Sequence, residues 1–132
     1  MGLDIYFQKG NKRDNYENAE ELAYFRKANF LVEFFTAQYG YDEEEYNCKN
    51  FPVDRIMIDD LKERCQEVLA DHNKADELLP SCEGFFYGSS DYDDSYFRQV
   101  EQCLGVCDKL LAEIDAIEAS GGDDEITFYI WW

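Results

Sequence analysis

The sequence predicts an α+β fold in which three helices pack on a small antiparallel sheet formed by the N- and C-terminal strands. Short alternating segments rich in strand formers stand near both ends of the chain, at residues 3–9 and 125–132. Three stretches between them carry apolar residues at helical spacing. Because two strands alone are not stable in water, the terminal strands are expected to pair beneath the helices.

A first helix is predicted from Asn18 to Gly40. Asn18 stands three residues before Glu21, which resembles a capping box, and Gly40 is a typical helix end. Apolar residues three and four apart continue from Leu22 to Phe35 and occupy more than one side. This helix is therefore expected to be covered on much of its circumference.

A second helix is predicted after the acidic segment YDEEEYNCKNFP, which is interpreted as a loop. Asp54 is the expected N-cap, with Val53 and Ile58 placed as a hydrophobic staple. The stripe of this helix steps by three and four residues. Its members are Ile58, Leu61, Cys65, Val68 and His72.

A third helix is predicted to begin at a cap formed by Ser90 or Asp91 and to end at Gly121 and Gly122. Its apolar stripe is the strongest periodic signal in the chain: Val100, Cys103, Cys107, Leu110, Ile114 and Ile117. The connection before it contains GFFYG, which predicts a short extended piece and a third short strand near residues 84–87. With no internal repeat or linker, residues 1–132 are expected to form a single domain.

The charge of the chain restricts its partners. Thirty Asp and Glu residues stand against 12 Lys and Arg, which gives a formal net charge of −18. Such a surface repels phosphate backbones, so direct nucleic-acid binding is not expected. A cationic protein, a metal ion or a protein that normally grips nucleic acid would suit it, and simple solubility is the alternative explanation of the charge.

The expected setting is a reducing cytoplasm. The five cysteines are odd in number and lack the spacing of a disulfide scaffold. The N-terminal MGLDIYFQKG does not resemble a signal peptide, and Glu33 interrupts the most apolar stretch well below membrane-spanning length. No membrane association is predicted, and the oligomeric state is left open.

Two sets of residues resemble metal sites in part, and neither is predicted to bind a metal. Asp91, Asp93 and Ser95 have the spacing that opens a calcium loop, but Tyr96 and Gln102 occupy the positions that need glycine and glutamate. Carboxylates at a helix N-terminus are the simpler interpretation. The second set, a possible zinc site, consists of Cys65, Cys103, Cys107 and His72. It lacks the closely paired cysteines usual in structural zinc sites, so its thiols are interpreted as small hydrophobic residues in the core. No catalytic residue and no cofactor are predicted.

The segment YFRKAN places Arg26, Lys27 and Asn29 among apolar residues. One interpretation is structural: Arg26 pairs with Asp93 or Asp94. The other is a site for an anion or polar ligand, lined by Arg26, Asn29 and the aromatic residues of LPSCEGFFYGSSDYDDSYF. Tyr92 and Tyr96, one helical turn apart, would face the same place.

These segments resemble a family of small proteins encoded by tailed phages and prophages. The resemblance covers nearly the full chain and rests on MGLDIY, YFRKANFLVEFF, LPSCEGFFYGSSDYDDSYF and an aromatic C-terminal strand. Phe25, Ser81 and Tyr87 replace the Trp, Thr and Phe usual in the family. The resemblance implies an accessory protein without transferable catalytic residues. It places these residues in the family-defining motifs: Arg26, Lys27, Asn29, Gly84, Phe85, Phe86, Gly88, Tyr92 and Asp93.

Two functions are compatible with these observations. The first is a non-catalytic interaction protein that binds a basic host protein, in its strictest form as a mimic of DNA. The second is a small-ligand-binding or enzymatic protein with a site around Arg26, Asn29, Tyr92 and Asp93. The first is favoured, because the chain is acidic and no convincing catalytic set is present.

Overall fold

Four antiparallel strands and five helices form the part of the chain that the computed structural model describes, residues 2–82 and 91–132. The strands are β1 (Asp4–Gly10), β2 (Glu20–Arg26), β3 (Asn50–Val53) and β4 (Glu125–Trp131), in the order β2-β1-β4-β3. The helices are α1 (Asn29–Tyr39), α2 (Glu43–Tyr46), α3 (Arg55–Ala70), α4 (Ala75–Leu78) and α5 (Asp94–Ser120). The predicted α+β class is confirmed, with a sheet of four strands rather than two or three.

The strands from the two ends of the chain pair with each other, as the sequence predicts, and form the centre of the four-stranded sheet. β1 and β4 pair antiparallel, with Ile5 opposite Ile130 and Phe7 opposite Phe128. Since side chains alternate between the faces of a strand, these four residues all lie on the face that the helices cover.

The hydrophobic core lies between this face of the sheet and the helices. Ile5, Val100 and Phe128 come from β1, α5 and β4, and all three are fully buried in one cluster. Phe35 of α1 lies above the sheet, with its ring centre 4.5 Å from that of Phe128 and 6.3 Å from that of Phe7. The helices and the terminal strands therefore share one interior.

The prediction of one helix from Asn18 to Gly40 is wrong for the first half of that range. Residues 20–26 form β2, which pairs with β1. A bulge in this pairing brings Leu22 and Phe25, three residues apart, to the same buried face. In a regular strand, residues three apart would lie on opposite faces. The bulge therefore gives the buried side chains of this strand the three-residue spacing that is typical of a helix. The predicted helix end is confirmed: Gly40 adopts φ +71°, the left-handed conformation that glycine allows.

The segment predicted as a loop at residues 41–52 contains α2 and most of β3. The side chain of Asp42 caps α2 by accepting hydrogen bonds from the backbone N–H groups of Glu44 and Glu45. β3 is a short edge strand whose Phe51 and Val53 are buried while Pro52 between them is exposed. Proline lacks a backbone N–H and is tolerated on edge strands, and it obscured the alternation in the sequence.

α3 and α5 pack against each other along the predicted stripes. Asp54 caps α3 by accepting from the backbone N–H of Met57, as predicted. The prediction that His72 continues the inner stripe is wrong, because α3 ends at Ala70. His72 lies in a following 3₁₀ turn, is exposed, and stacks on Phe97 with 3.7 Å between ring centres.

α5 begins later than the sequence predicts. Its N-cap is Asp93, whose carboxylate accepts from the backbone N–H of Tyr96 at 3.1 Å, and not Ser90 or Asp91. All three are capping residue types, and only the position of the helix in the fold selects among them. The predicted end at Gly121 is confirmed, with φ +67°.

Side chains of α5 cover the outer edge of β2. Gln99, Gln102 and Lys109 donate hydrogen bonds to the backbone carbonyls of Arg26, Tyr24 and Leu22, respectively, at 2.7–3.0 Å. These bonds satisfy carbonyl groups that an edge strand would otherwise present to another chain. α5 thereby fixes the position of β2 relative to the helices.

The strand predicted near residues 84–87 lies outside the described residues. Of the helices within residues 2–82 and 91–132, none combines the length and the apolar character needed to cross a lipid bilayer.

Candidate functional site

Five of the predicted site residues line one cleft between the β2–α1 junction and the start of α5. The cleft has a volume of about 240 Å³. Its lining consists of Arg26, Lys27, Asn29, Asp91, Asp93, Ser95, Tyr96 and Gln99. The predicted site residues Gly84, Phe85, Phe86 and Gly88 lie outside the described part of the chain.

The β2–α1 junction forms the cationic wall of the cleft. Lys27 stands between strand and helix with φ +58°, a left-handed conformation that is rare for a residue other than glycine. Its backbone N–H donates to the carbonyl of Leu3 at 2.7 Å, which holds the turn on the sheet. Arg26 and Lys27 both remain exposed, whereas Asn29, the first residue of α1, is only 3% exposed.

The start of α5 forms the opposite wall. The Tyr96 hydroxyl donates to the carbonyl of Leu79 at 2.7 Å, and its ring lies 5.5 Å from that of Phe30. Burial is the largest cause that raises the pKa of Tyr96, so its phenol stays neutral. Tyr96 therefore acts as a fixed part of the wall, beside the cap formed by Asp93.

Tyr92 lies beside the cleft rather than in its lining. Its ring is 5.0 Å from that of Tyr96, so the two tyrosines are neighbours as the sequence predicts. The Tyr92 hydroxyl accepts a hydrogen bond from the backbone N–H of Ser81 at 3.2 Å, and 39% of the residue is exposed.

Gln99 joins the two walls and was missed by the sequence analysis. Its side-chain amide donates to the carbonyl of Arg26 at 2.9 Å, across 73 residues of chain. Its position four residues after Ser95 places both on one face of α5, but nothing in the sequence indicates that this face meets β2.

The ion pair predicted between Arg26 and Asp93 or Asp94 is absent among the described residues. The ion pairs there engage other cations: Lys9, Arg13, Arg55, Lys62 and Arg64. Neither Arg26 nor Lys27 takes part in one, although the chain carries a net charge of −18. Among the residues that the structure describes, both cations of the cleft wall therefore lack an ion-pair partner.

The second surface is the face of the sheet that the helices leave uncovered. Tyr24, Tyr6 and Tyr129 stand directly opposite one another on β2, β1 and β4, and form a row across three strands. Neighbouring ring centres are 5.1 and 6.1 Å apart. Trp131, two residues after Tyr129 on β4, extends the row and is 56% exposed. We call these four residues the aromatic row.

The surroundings of these tyrosines raise their pKa values. The Tyr24 hydroxyl donates to Asp4 at 2.5 Å, and this bond is the largest cause that raises the pKa of Tyr24. Burial first, and then the charges of Asp4 and Glu21, raise the pKa of Tyr6. The face therefore presents neutral, electron-rich rings beside negative charges.

An apolar groove of about 440 Å³ lies at the opposite end of β4. Ile56, Ile114 and Ile117 line it, and Ile56 is 72% exposed. Arg55 on its rim is already paired with Asp115 and Glu118, at 2.6 and 3.1 Å.

The thiols considered as zinc ligands lie in the core, without the imidazole. Cys65, Cys103 and Cys107 are fully buried between α3 and α5, whereas His72 is at the surface. Hydrogen bonding with the other two thiols and burial raise the pKa of Cys103 well above its usual range. Within the described ranges, no group of three or more His, Cys, Asp or Glu side chains has an arrangement that could hold a metal ion.

No family model, curated protein or solved structure matches this chain. The features that bear on function are therefore the geometry of the cleft and that of the open sheet face.

Proposed function

We propose that the protein is a non-catalytic interaction protein that binds an arginine-rich segment of a partner protein on the open face of its sheet. The observation that carries this proposal is the aromatic row, in which three tyrosine rings stand in register across three strands and Trp131 lies beside them on the same uncovered face. Aromatic side chains are enriched at protein interfaces, where they contribute large contact areas at low entropic cost.

The chemistry of the row favours a cationic partner. Neutral tyrosine and tryptophan rings attract cations over their faces, and the planar guanidinium group also stacks on them. Tyrosine is neutral at neutral pH, and the raised pKa values of Tyr6, Tyr24 and Tyr129 keep these rings neutral into the alkaline range as well. Arginine is therefore the side chain that fits this surface best.

The charge around the row supports the same partner. Asp4 and Glu21 lie on the open face of β1 and β2, and the whole chain carries a net charge of −18. This charge raises the rate at which a basic segment approaches and disfavours acidic partners. Direct binding of nucleic acid is disfavoured for the same reason.

Mimicry of DNA is the stricter form of the proposal. In that form the basic segment belongs to a protein that normally binds nucleic acid, and the acidic chain occupies the same surface. Competition decides this point: duplex DNA should displace the protein from such a partner, and a partner that binds both at once would exclude mimicry.

An arginine-rich peptide tests the proposal directly, with the same peptide carrying neutral citrulline at every arginine as the control. Tryptophan fluorescence reports binding, because Trp131 lies on the row and Trp132, the other tryptophan, follows it directly. We expect the arginine peptide to bind and the citrulline peptide not to bind. The affinity should fall as NaCl rises from about 50 mM to about 500 mM, because salt screens exposed charges.

A pair of variants locates the interface. Tyr24 and Tyr92 are 38% and 39% exposed, so Tyr24→Leu and Tyr92→Leu remove similar surface rings from different faces. Tyr24→Leu should weaken binding about tenfold, in the range of an interface hot spot, and Tyr92→Leu should leave it unchanged. Equal affinity for the citrulline peptide, or an equal loss in the two variants, would contradict the proposal.

A further inference from the structure

We infer that the cleft between β2 and α5 binds a small dipolar metabolite of the amino-acid class, with its carboxylate against Arg26 and Lys27 and its ammonium group against Asp93. This site does not depend on the function proposed for the aromatic row, although Arg26 lies two residues after Tyr24 on β2 and stands beside the row. It draws on two segments that are far apart in the chain, residues 26–29 and 91–99.

The cationic wall determines one end of the ligand. Arg26 and Lys27 both line the cleft, and the guanidinium of Arg26 and the Cε of Lys27 each lie 3.7 Å from the point where a side chain on Gly2 would begin. Neither cation takes part in an ion pair within the described residues. A guanidinium and an ammonium that line the same cleft can each donate charge-assisted hydrogen bonds to a carboxylate.

The opposite wall determines the other end. One carboxylate oxygen of Asp93 caps α5, where it accepts from the backbone N–H of Tyr96. A carboxylate has two oxygens, so the second can accept from a ligand ammonium without loss of the cap. Asp91 adds negative charge to this wall, and Ser95 adds a hydroxyl group. A purely anionic ligand would face repulsion here, whereas a dipolar ligand meets opposite charges at both ends.

The size of the cleft limits the ligand. Its volume of about 240 Å³ is below the range of about 300–1,000 Å³ typical of pockets for drug-sized molecules. A free amino acid fits within this space, whereas a larger ligand would extend beyond the cleft.

The walls are held in place before any ligand arrives. The bond from Gln99 to the carbonyl of Arg26 ties α5 to β2, and the bond from the N–H of Lys27 to Leu3 fixes the junction. Asn29 and Tyr96 are 3% and 5% exposed, so the floor of the cleft consists of buried side chains. A rigid site of this kind loses little entropy on binding.

Thermal denaturation with a panel of free L-amino acids tests the inference. Acetate and methylamine serve as the two separated halves of the ligand, and inorganic phosphate serves as a simple anion. We expect at least one amino acid to raise Tm by about 5 °C at about ten times its Kd. Acetate, methylamine and phosphate should give no comparable shift at the same concentration. If no amino acid shifts Tm, or if acetate or phosphate acts equally well, the inference is overturned.

Two variants place the ligand in the cleft. Arg26→Gln removes a cation, and Asp93→Asn removes a carboxylate charge while asparagine keeps the helix cap. Each should weaken binding about tenfold or more by isothermal titration calorimetry, as expected when a charged partner is lost. Lys49→Gln is the control, since it changes the net charge as Arg26→Gln does but lies outside the cleft lining. An amino acid that binds both variants with unchanged affinity would show that its site lies elsewhere.

Discussion

Replacing Tyr41 by phenylalanine is expected to stabilise the protein. Tyr41 is 2% exposed, and its hydroxyl has no hydrogen-bond partner among the described residues. The ring itself is well packed, with centres 5.3 Å from Phe51 and 5.4 Å from Phe128. Tyr41→Phe removes the isolated hydroxyl and keeps these ring contacts. The same isolation raises the pKa of Tyr41, because burial disfavours the phenolate.

The expected gain follows from the cost of an unpaired buried polar group. That cost is about 1–3 kcal/mol in proteins, so the variant should gain about 1–2 kcal/mol in the free energy of unfolding. For a domain of this size the gain corresponds to a rise in Tm of roughly 3–8 °C. Urea denaturation followed by tryptophan fluorescence measures the free energy directly, and an unchanged m value would show that the denatured state is unaffected.

Tyr96 provides the matched control. It is also buried, at 5% exposed, but its hydroxyl donates to the carbonyl of Leu79 at 2.7 Å. Tyr96→Phe should therefore lose about 1–2 kcal/mol, because the carbonyl is left without its partner. Destabilisation by Tyr41→Phe would refute the reasoning, since it would mean that the Tyr41 hydroxyl is hydrogen-bonded, for example to a buried water molecule.

Three further predictions concern the core, a helix cap and alkaline pH. Phe35→Ala should cost about 3–5 kcal/mol in chemical denaturation, because the ring is fully buried against Phe128; a loss below about 1 kcal/mol would contradict the described core. Asp93→Ala should cost about 1 kcal/mol and Asp93→Asn almost nothing, because both aspartate and asparagine cap helices; equal losses would exclude the cap. Burial, and then the bond to Asp60, raise the pKa of Tyr39 to about 12 from 10.0. The unfolded chain therefore releases this proton first, and stability should fall between about pH 10 and pH 12. Tyr39→Phe should flatten that decline in urea titrations across this range, and an unaltered slope would count against the assignment.

The cleft was partly predictable from the sequence. Arg26 and Asn29 stood out as polar residues in an apolar segment, and Tyr96 and Asp93 as residues at the start of a helix. The structure brings all four to one cavity. Gln99 could not be found in the same way, because its bond to Arg26 spans 73 residues and depends on where α5 lies.

The aromatic row was not predicted at all. Tyr6, Tyr24 and Tyr129 align only because β2 is a strand, and the sequence favours a helix there. The bulge at Leu22 explains the error, since it gives a strand the three-residue spacing of buried side chains that is typical of a helix. The row exists through the pairing register of three strands from different parts of the chain.

The sequence by itself determined the local features: the two terminal strands, the stripes of α3 and α5, the cap at Asp54 and the helix ends at Gly40 and Gly121. Each depends on residues a few positions apart, where periodicity and capping act. Only the tertiary structure decided that residues 20–26 pair with β1, that β3 forms the edge beside β4, and that the two walls of the cleft meet. These features depend on strand register and on contacts between distant segments. The free energy of such contacts depends on residues far apart in the chain, so no short stretch of sequence reveals it.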